Sequence, residues 1–271
     1  MLPMHKTEAL WLCFSAWCPM ALKVGAGGVC AVSGQQWSAG LAGSVQNYVV
    51  LPEQLWLDGF RVTEDVIRQF VAVPMGKGLT VEKQITGKEA WGGLQLQAFP
   101  MKLDELWDRV VKDSLEGQWT QLLAWGQSFG RICETIASSG GKCAIVREQG
   151  LGAGGRMTQK ITVDPHGVKV WNTRNSSRCY VRLCLADDWQ RLTGQPPPHQ
   201  PPSAQTYTAA GLPWFDYQDN MPAVVGETAL ATVKSVNTLV DEKVGLGLSG
   251  NSSVTPENLI TIAQKHATVV P

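Results

Sequence analysis

Short runs of apolar and β-forming residues, separated by polar and turn-forming ones, make the first hundred residues read as β-rich. Leu94, Leu96 and Ala98 alternate with Gln95 and Gln97, the pattern of a half-buried strand. Other short runs predict strands over Ala9–Phe14, Ala21–Val24, Val29–Val32, Tyr48–Leu51 and Arg68–Val73. Gly27-Gly28 suits a hairpin turn between the second and third of these. Between Val73 and Leu94 the pattern predicts a long connection holding one helical turn. The period then changes. Leu103, Leu106, Trp107, Val110 and Val111 share one face of a helix, and Asp104 and Glu105 lie in its first turn, where the dipole favours them. A weaker helical pattern covers Gln118 to Ile136.

Strand patterns return at Cys143–Arg147, Met157–Val163 and Cys179–Leu185. A short helix capped by Asp187 and ending near Gly194 is predicted next. Gln195–Pro202 holds five prolines and reads as polyproline-like. Glu227–Val240 reads as a helix, followed by a Gly/Ser/Asn stretch over Gly245–Ser253. Strands outnumber helices without regular alternation, so a doubly wound sheet is disfavoured. The expected fold is α+β, mainly β: a sandwich-like antiparallel core over residues 1–220, helices inserted at 102–137, and a C-terminal arm over 221–271.

Composition narrows the function classes. The 23 basic and 23 acidic residues cancel, and no three basic residues are consecutive. Neither nucleic acid nor an anionic membrane is therefore favoured as a partner. No apolar stretch approaches the roughly 20 residues of a spanning helix. The seven cysteines include no C-x-x-C pair, which points to reduced thiols in the cytoplasm. The run Ala9–Cys18 behind Lys6 also resembles an atypical secretory signal; a buried first strand is the preferred reading.

Several stretches carry a resemblance. Val66-Ile67-Arg68-Gln69-Phe70-Val71-Ala72-Val73-Pro74-Met75-Gly76 continues through Thr80-Val81-Glu82-Lys83-Gln84-Ile85-Thr86-Gly87 to Gly92-Gly93-Leu94-Gln95. Ser176-Ser177-Arg178-Cys179 and Ala210-Gly211-Leu212-Pro213-Trp214-Phe215-Asp216-Tyr217 complete the pattern. Over residues 7–220 the chain resembles a family of bacterial and fungal proteins with no assigned function, so the resemblance transfers no catalytic residue. Members often have histidine where Trp91 stands, which argues against an essential histidine at that position. Some members are described as integral membrane proteins, a description the hydropathy of this chain does not support.

The chemistry-bearing motifs are sparse. Gly150-Leu151-Gly152-Ala153-Gly154-Gly155 matches G-x-G-x-x-G, but a β-like run follows where a helix is needed, so a mobile glycine loop is expected. His5, His166, His199 and His266 have no metal-ligand spacing, and His166 sits in an Asp-Pro-His-Gly turn. No metal or cofactor is expected. The eleven tryptophans stand out, and two recur with a carboxylate two residues on: Trp56 with Asp58, and Trp214 with Asp216. Indole platforms beside carboxylates suit sugar rings, so a glycan-binding or glycoside-acting protein is one reading. The preferred expectation is a non-catalytic binding or assembly protein using tryptophan-rich surface toward itself or a protein partner.

Overall fold

The run at Arg68–Val73 and the alternating run at Leu94–Phe99 become strands inside the two main sheets. The computed structural model describes residues 1–16, 18–106, 148–198 and 223–244. In chain order the strands are β1 (Leu2–Met4), β2 (Ala9–Leu10), β3 (Leu12–Cys13), β4 (Met20–Ala26), β5 (Val29–Cys30), β6 (Val49–Leu51), β7 (Trp56–Leu57), β8 (Gly59–Arg61) and β9 (Val66–Pro74). Then follow α1 (Val81–Thr86), β10 (Leu94–Pro100), α2 (Leu103–Leu106), β11 (Glu148–Thr158), β12 (Ser177–Val181), β13 (Leu183–Leu185), α3 (Ala186–Thr193) and α4 (Val236–Val244). The fold is α+β and mainly β, as the sequence pattern predicts.

One sheet runs β1-β13-β11-β9-β2, with β8 also on β9; the other runs β12-β10-β4-β5, with β6 on β4. Pairing within them is antiparallel except between β1 and β13. Val24 and Leu94 from the second sheet share one apolar cluster with Phe60, Phe70, Ala72 and Leu151 from the first. Phe60 and Phe70 meet edge to face, with ring centroids 4.7 Å apart. The core thus lies between two sheets, the sandwich-like arrangement expected. No helix among the described residues is long and apolar enough to cross a membrane.

Several expectations are corrected. Gly150–Gly155 is not a loop: all six residues lie inside β11, which pairs with β9. A Cβ on Gly152 would come within 2.5 Å of the Val236 side chain, and one on Gly150 within 2.7 Å of Thr80. Close packing leaves no room for a side chain at Gly150, Gly152 or Gly154, while the backbone stays in the strand. The strand expected over Met157–Val163 keeps only Met157 and Thr158, at the end of β11. The run Cys179–Leu185 is divided: β12 belongs to one sheet and β13 to the other, and the chain crosses at Arg182. Ala9–Phe14 is likewise split into β2 and β3, which pair with β9 and β7 respectively. The helix near Asp187 starts at Ala186, with Leu185 rather than Asp187 at its N-cap; Gly194 closes it in the left-handed conformation, as expected.

Glu227–Val240 is not one helix. Ala229–Thr232 forms a 3-10 turn, and α4 starts only at Val236. Leu230, Val233 and Val236 are buried, and the chain from Met1 to Val236 forms one compact unit. Trp107–Val111, the helical pattern over 118–136, the strand at Cys143–Arg147, His199, His266 and the Gly245–Ser253 stretch lie outside the described residues.

Candidate functional site

The site is built from β12, the Trp91 turn and the edge of β11. Along β12 and its continuation, Arg178, Tyr180 and Arg182 are two residues apart, so strand geometry places them on one face. They line an open groove of about 530 Å³ with Ala90, Trp91, Gln95 and Glu148. Trp91 is 60% exposed and Tyr180 41% exposed, unusual for rings this large.

Local sequence fixes Trp91. Thr80 caps α1, accepting a hydrogen bond from the Lys83 amide at 3.1 Å. The helix then presents Glu82, only 3% exposed, back toward the turn. Its carboxylate accepts the amides of Trp91 and Gly92, both at 3.1 Å. Gly27 of the β4–β5 hairpin lies against the same carboxylate, where a Cβ would fall 2.4 Å from an oxygen. Gly92 and Gly93 take positive φ (55° and 57°), turning the chain from Trp91 into β10. The Tyr180 hydroxyl closes the turn from the other side, donating to the carbonyls of Trp91 and Gly92. Burial raises the Tyr180 phenol above its ordinary value, and the nearby Glu148 carboxylate adds to this.

Arg178 is held as firmly. Its guanidinium donates to the Gln95 side-chain oxygen, while Gln95 Nε2 donates to the Gly27 carbonyl at 2.6 Å. The Trp37 ring lies 5.5 Å from Arg178, and Lys23 Nζ lies 4.9 Å from the same ring. Lys23 is 1% exposed and donates to the Ser38 and Gly40 carbonyls at 2.5 and 2.9 Å, securing the loop that carries Trp37. Burial lowers the Lys23 ammonium below its ordinary value, with the Arg178 charge contributing in the same direction. Arg182 pairs with Glu148 across the groove. Arg178 therefore carries the groove's positive charge that no carboxylate among the described residues matches.

The residues singled out from sequence lie elsewhere. Trp214 and Asp216 fall outside the described residues. Trp56 is half-buried in β7, and Asp58 follows it between β7 and β8. Asp58 forms a reciprocal pair with Gln159: its amide donates to Gln159 Oε1 at 3.0 Å, and its carboxylate accepts from Gln159 Nε2 at 3.1 Å. Its carbonyl also accepts from the Phe70 amide. This is a tie between distant chain segments. Trp56 and Asp58 are not among the groove's lining residues. His166 is engaged with Glu53 at 3.1 Å and stacks edge-on to Trp171. Cys30 and Cys184 are buried as small apolar groups, whereas Cys13 and Cys179 are exposed; all four are free thiols.

Burial pushes the Asp58 carboxyl up to about 6, and the Gln159 hydrogen bond offsets part of that. Between about pH 4 and 6 the unfolded chain therefore ionises at Asp58 before the folded one, so stability falls as pH rises through this window. Asp58→Asn keeps the acceptor for Gln159 and removes the ionisation. It is expected to raise stability at pH 7 by about 1 kcal/mol, allowing for the carboxyl's partial solvent access. Thermal unfolding at pH 4, 5, 6 and 7 checks this; identical pH profiles for parent and variant contradict it.

The alternation of Arg178, Tyr180 and Arg182 is visible in the sequence, where the segment reads as a strand, but which face meets solvent is set by the sheet alongside it. Trp91 carries no local signal, since it reaches the groove only through a turn anchored by Glu82. Comparison with protein-family models, characterised proteins and solved structures finds no match to this chain.

Proposed function

We propose that this chain is a binding protein whose recognition surface is the groove of Trp91, Arg178, Tyr180 and Arg182, and that its ligand is anionic. One observation carries the reading: a guanidinium with no carboxylate partner among the described residues, fixed by Gln95 and Trp37, shares an open groove with two exposed aromatic rings. Fixed arginines recognise carboxylates and phosphates through paired hydrogen bonds, and little side-chain freedom is lost when the donors are already held. Exposed Trp and Tyr beside Arg are the side chains that dominate binding energies at protein surfaces. Three stretches of the family resemblance supply groove residues or their supports: Glu82, Gln95 and Arg178. The glycan reading through Trp56 and Asp58 is weaker, because the Asp58 carboxylate is already engaged by Gln159.

Calorimetric titration with pentaglutamate tests the proposal. The parent protein is expected to bind. Arg178→Gln and Trp91→Ala are each expected to weaken binding roughly tenfold or more, the loss of one charged hydrogen-bonding group or one anchoring ring. No binding by the parent, or unchanged binding in both variants, overturns it.

A further inference from the structure

Strand β12 offers more than its side chains. Among the described residues it pairs with β10 alone, so no described strand occupies its other backbone edge from Ser177 to Val181; just beyond, the Arg182 carbonyl accepts from the Leu2 amide at 2.8 Å. Ser177, Arg178, Cys179 and Tyr180 are all exposed, so both faces of the strand are accessible beside that edge. Folded proteins commonly guard such an edge with charged side chains, proline, a bulge or a covering element, and here the guard is the pair of arginines, Arg178 and Arg182. Residues 177–182 contain neither proline nor glycine, and their register with β10 is unbroken from Leu94–Val181 to Ala98–Ser177.

Charge decides what could pair there. An antiparallel second copy centred on Tyr180 would set Arg178 of each copy against Arg182 of the other. Like charges directly opposite destabilise a strand pair. An acidic strand meets the reverse situation. Carboxylates four residues apart lie on one face, about 13 Å apart, as Arg178 and Arg182 do on theirs. Arg182 is engaged by Glu148, so the first attraction falls on Arg178. The opposite face presents the exposed Ser177 and Cys179, small side chains that suit β-branched residues in the incoming strand, before Val181 turns into the core.

We infer that β12 takes up an extended segment of a partner protein as an additional strand, one with acidic side chains toward Arg178 and Arg182 and β-branched side chains on the other face. This rests on the groove being the recognition surface and goes beyond it: main-chain hydrogen bonds supply affinity, and the arginines choose the sequence. The chain's net charge is zero, so attraction is confined to this edge and weakens with salt.

The test is fluorescence anisotropy with a fluorescein-labelled octapeptide of alternating glutamate and valine, and with the same peptide methylated at every backbone nitrogen. Inorganic phosphate is titrated in parallel by calorimetry. The unmodified peptide is expected to bind, roughly tenfold more weakly to Arg178→Gln. The methylated peptide, which keeps its charges but has no amide donors, is expected to lose at least roughly a hundredfold. Equal binding of both peptides overturns strand addition while leaving the anionic groove standing. Phosphate binding without peptide binding does the same. If neither probe binds, both proposals fall.

Discussion

Arg61→Ala is expected to lower stability by about 3–5 kcal/mol, the largest effect of any single substitution considered. Arg61 is 1% exposed, and no described carboxylate faces it. Its Nε donates to the Val32 carbonyl at 2.8 Å, and its Nη1 to the Val224 and Gly226 carbonyls at 3.1 and 2.9 Å. Burial lowers the guanidinium below its ordinary value, yet arginine stays charged in proteins. The cation is tolerated because three carbonyl dipoles converge on it. Removing it leaves those carbonyls without their donor, each at a cost of about 1–3 kcal/mol where water cannot replace it. The segment around Val224 also loses its tie to β8, though Thr228 Oγ1 still donates to the Arg61 backbone carbonyl at 2.6 Å. Arg61→Met fills most of the volume but restores no donor, so it is expected to recover only part of the loss. Urea unfolding measures both variants; an alanine variant within about 1 kcal/mol of the parent contradicts this role.

Asp164→Ala is expected to cost about 3–4 kcal/mol. Its carboxylate accepts four hydrogen bonds: from the Tyr48 hydroxyl at 2.6 Å, Trp171 Nε1 at 2.8 Å, the His166 amide at 2.8 Å and the Gly167 amide at 3.0 Å. Tyr48 and Trp171 are 2% and 1% exposed and belong to one apolar cluster with Phe99 and Met101. Without Asp164 two buried polar atoms lose their acceptor and the turn at 164–167 loses its brace. Bonds to a charged acceptor are worth about 1.5–3 kcal/mol each, and members of one network do not add in full. Asp164→Asn keeps one acceptor oxygen but turns an amide group toward donors, so an intermediate loss is expected. Urea unfolding of both variants checks the order; an alanine variant no worse than the asparagine variant contradicts it.

Both residues show what a sequence conceals. Asp164 was legible as part of a turn, because Asp-Pro-His-Gly is a local signature. Its bond to Tyr48, 116 residues away, has none. Strands β9 and β10 and the Gly27-Gly28 hairpin were legible, since a run of β-forming residues, the alternation at 94–98 and paired glycines are all local. Strand β11 was not, because its glycines answer to Thr80, Val71 and Val236 pressing from outside, and only the fold brings these residues close. The break at Arg182 escaped for a related reason: β12 and β13 read as one run, and the change of sheet is set by what pairs alongside. The groove was half visible. Its arginines and tyrosine lie in plain alternation, while Trp91 arrives through the buried Glu82 carboxylate. The Trp-Asp repeat was a true pattern, and at Asp58 its chemistry goes into holding Gln159.

NMR decides whether the Trp91–Arg178–Tyr180–Arg182 groove is where this protein recognises its ligand. The backbone amides, tryptophan indoles and arginine Nε–Hε groups are followed while pentaglutamate is added. Saturable shifts concentrated at the Trp91 indole, the Arg178 and Arg182 Nε–Hε groups and the Tyr180 amide are expected, with Trp56 and Asp58 unmoved. Shifts centred on Trp56 and Asp58, or no saturable shift at the groove, would contradict it.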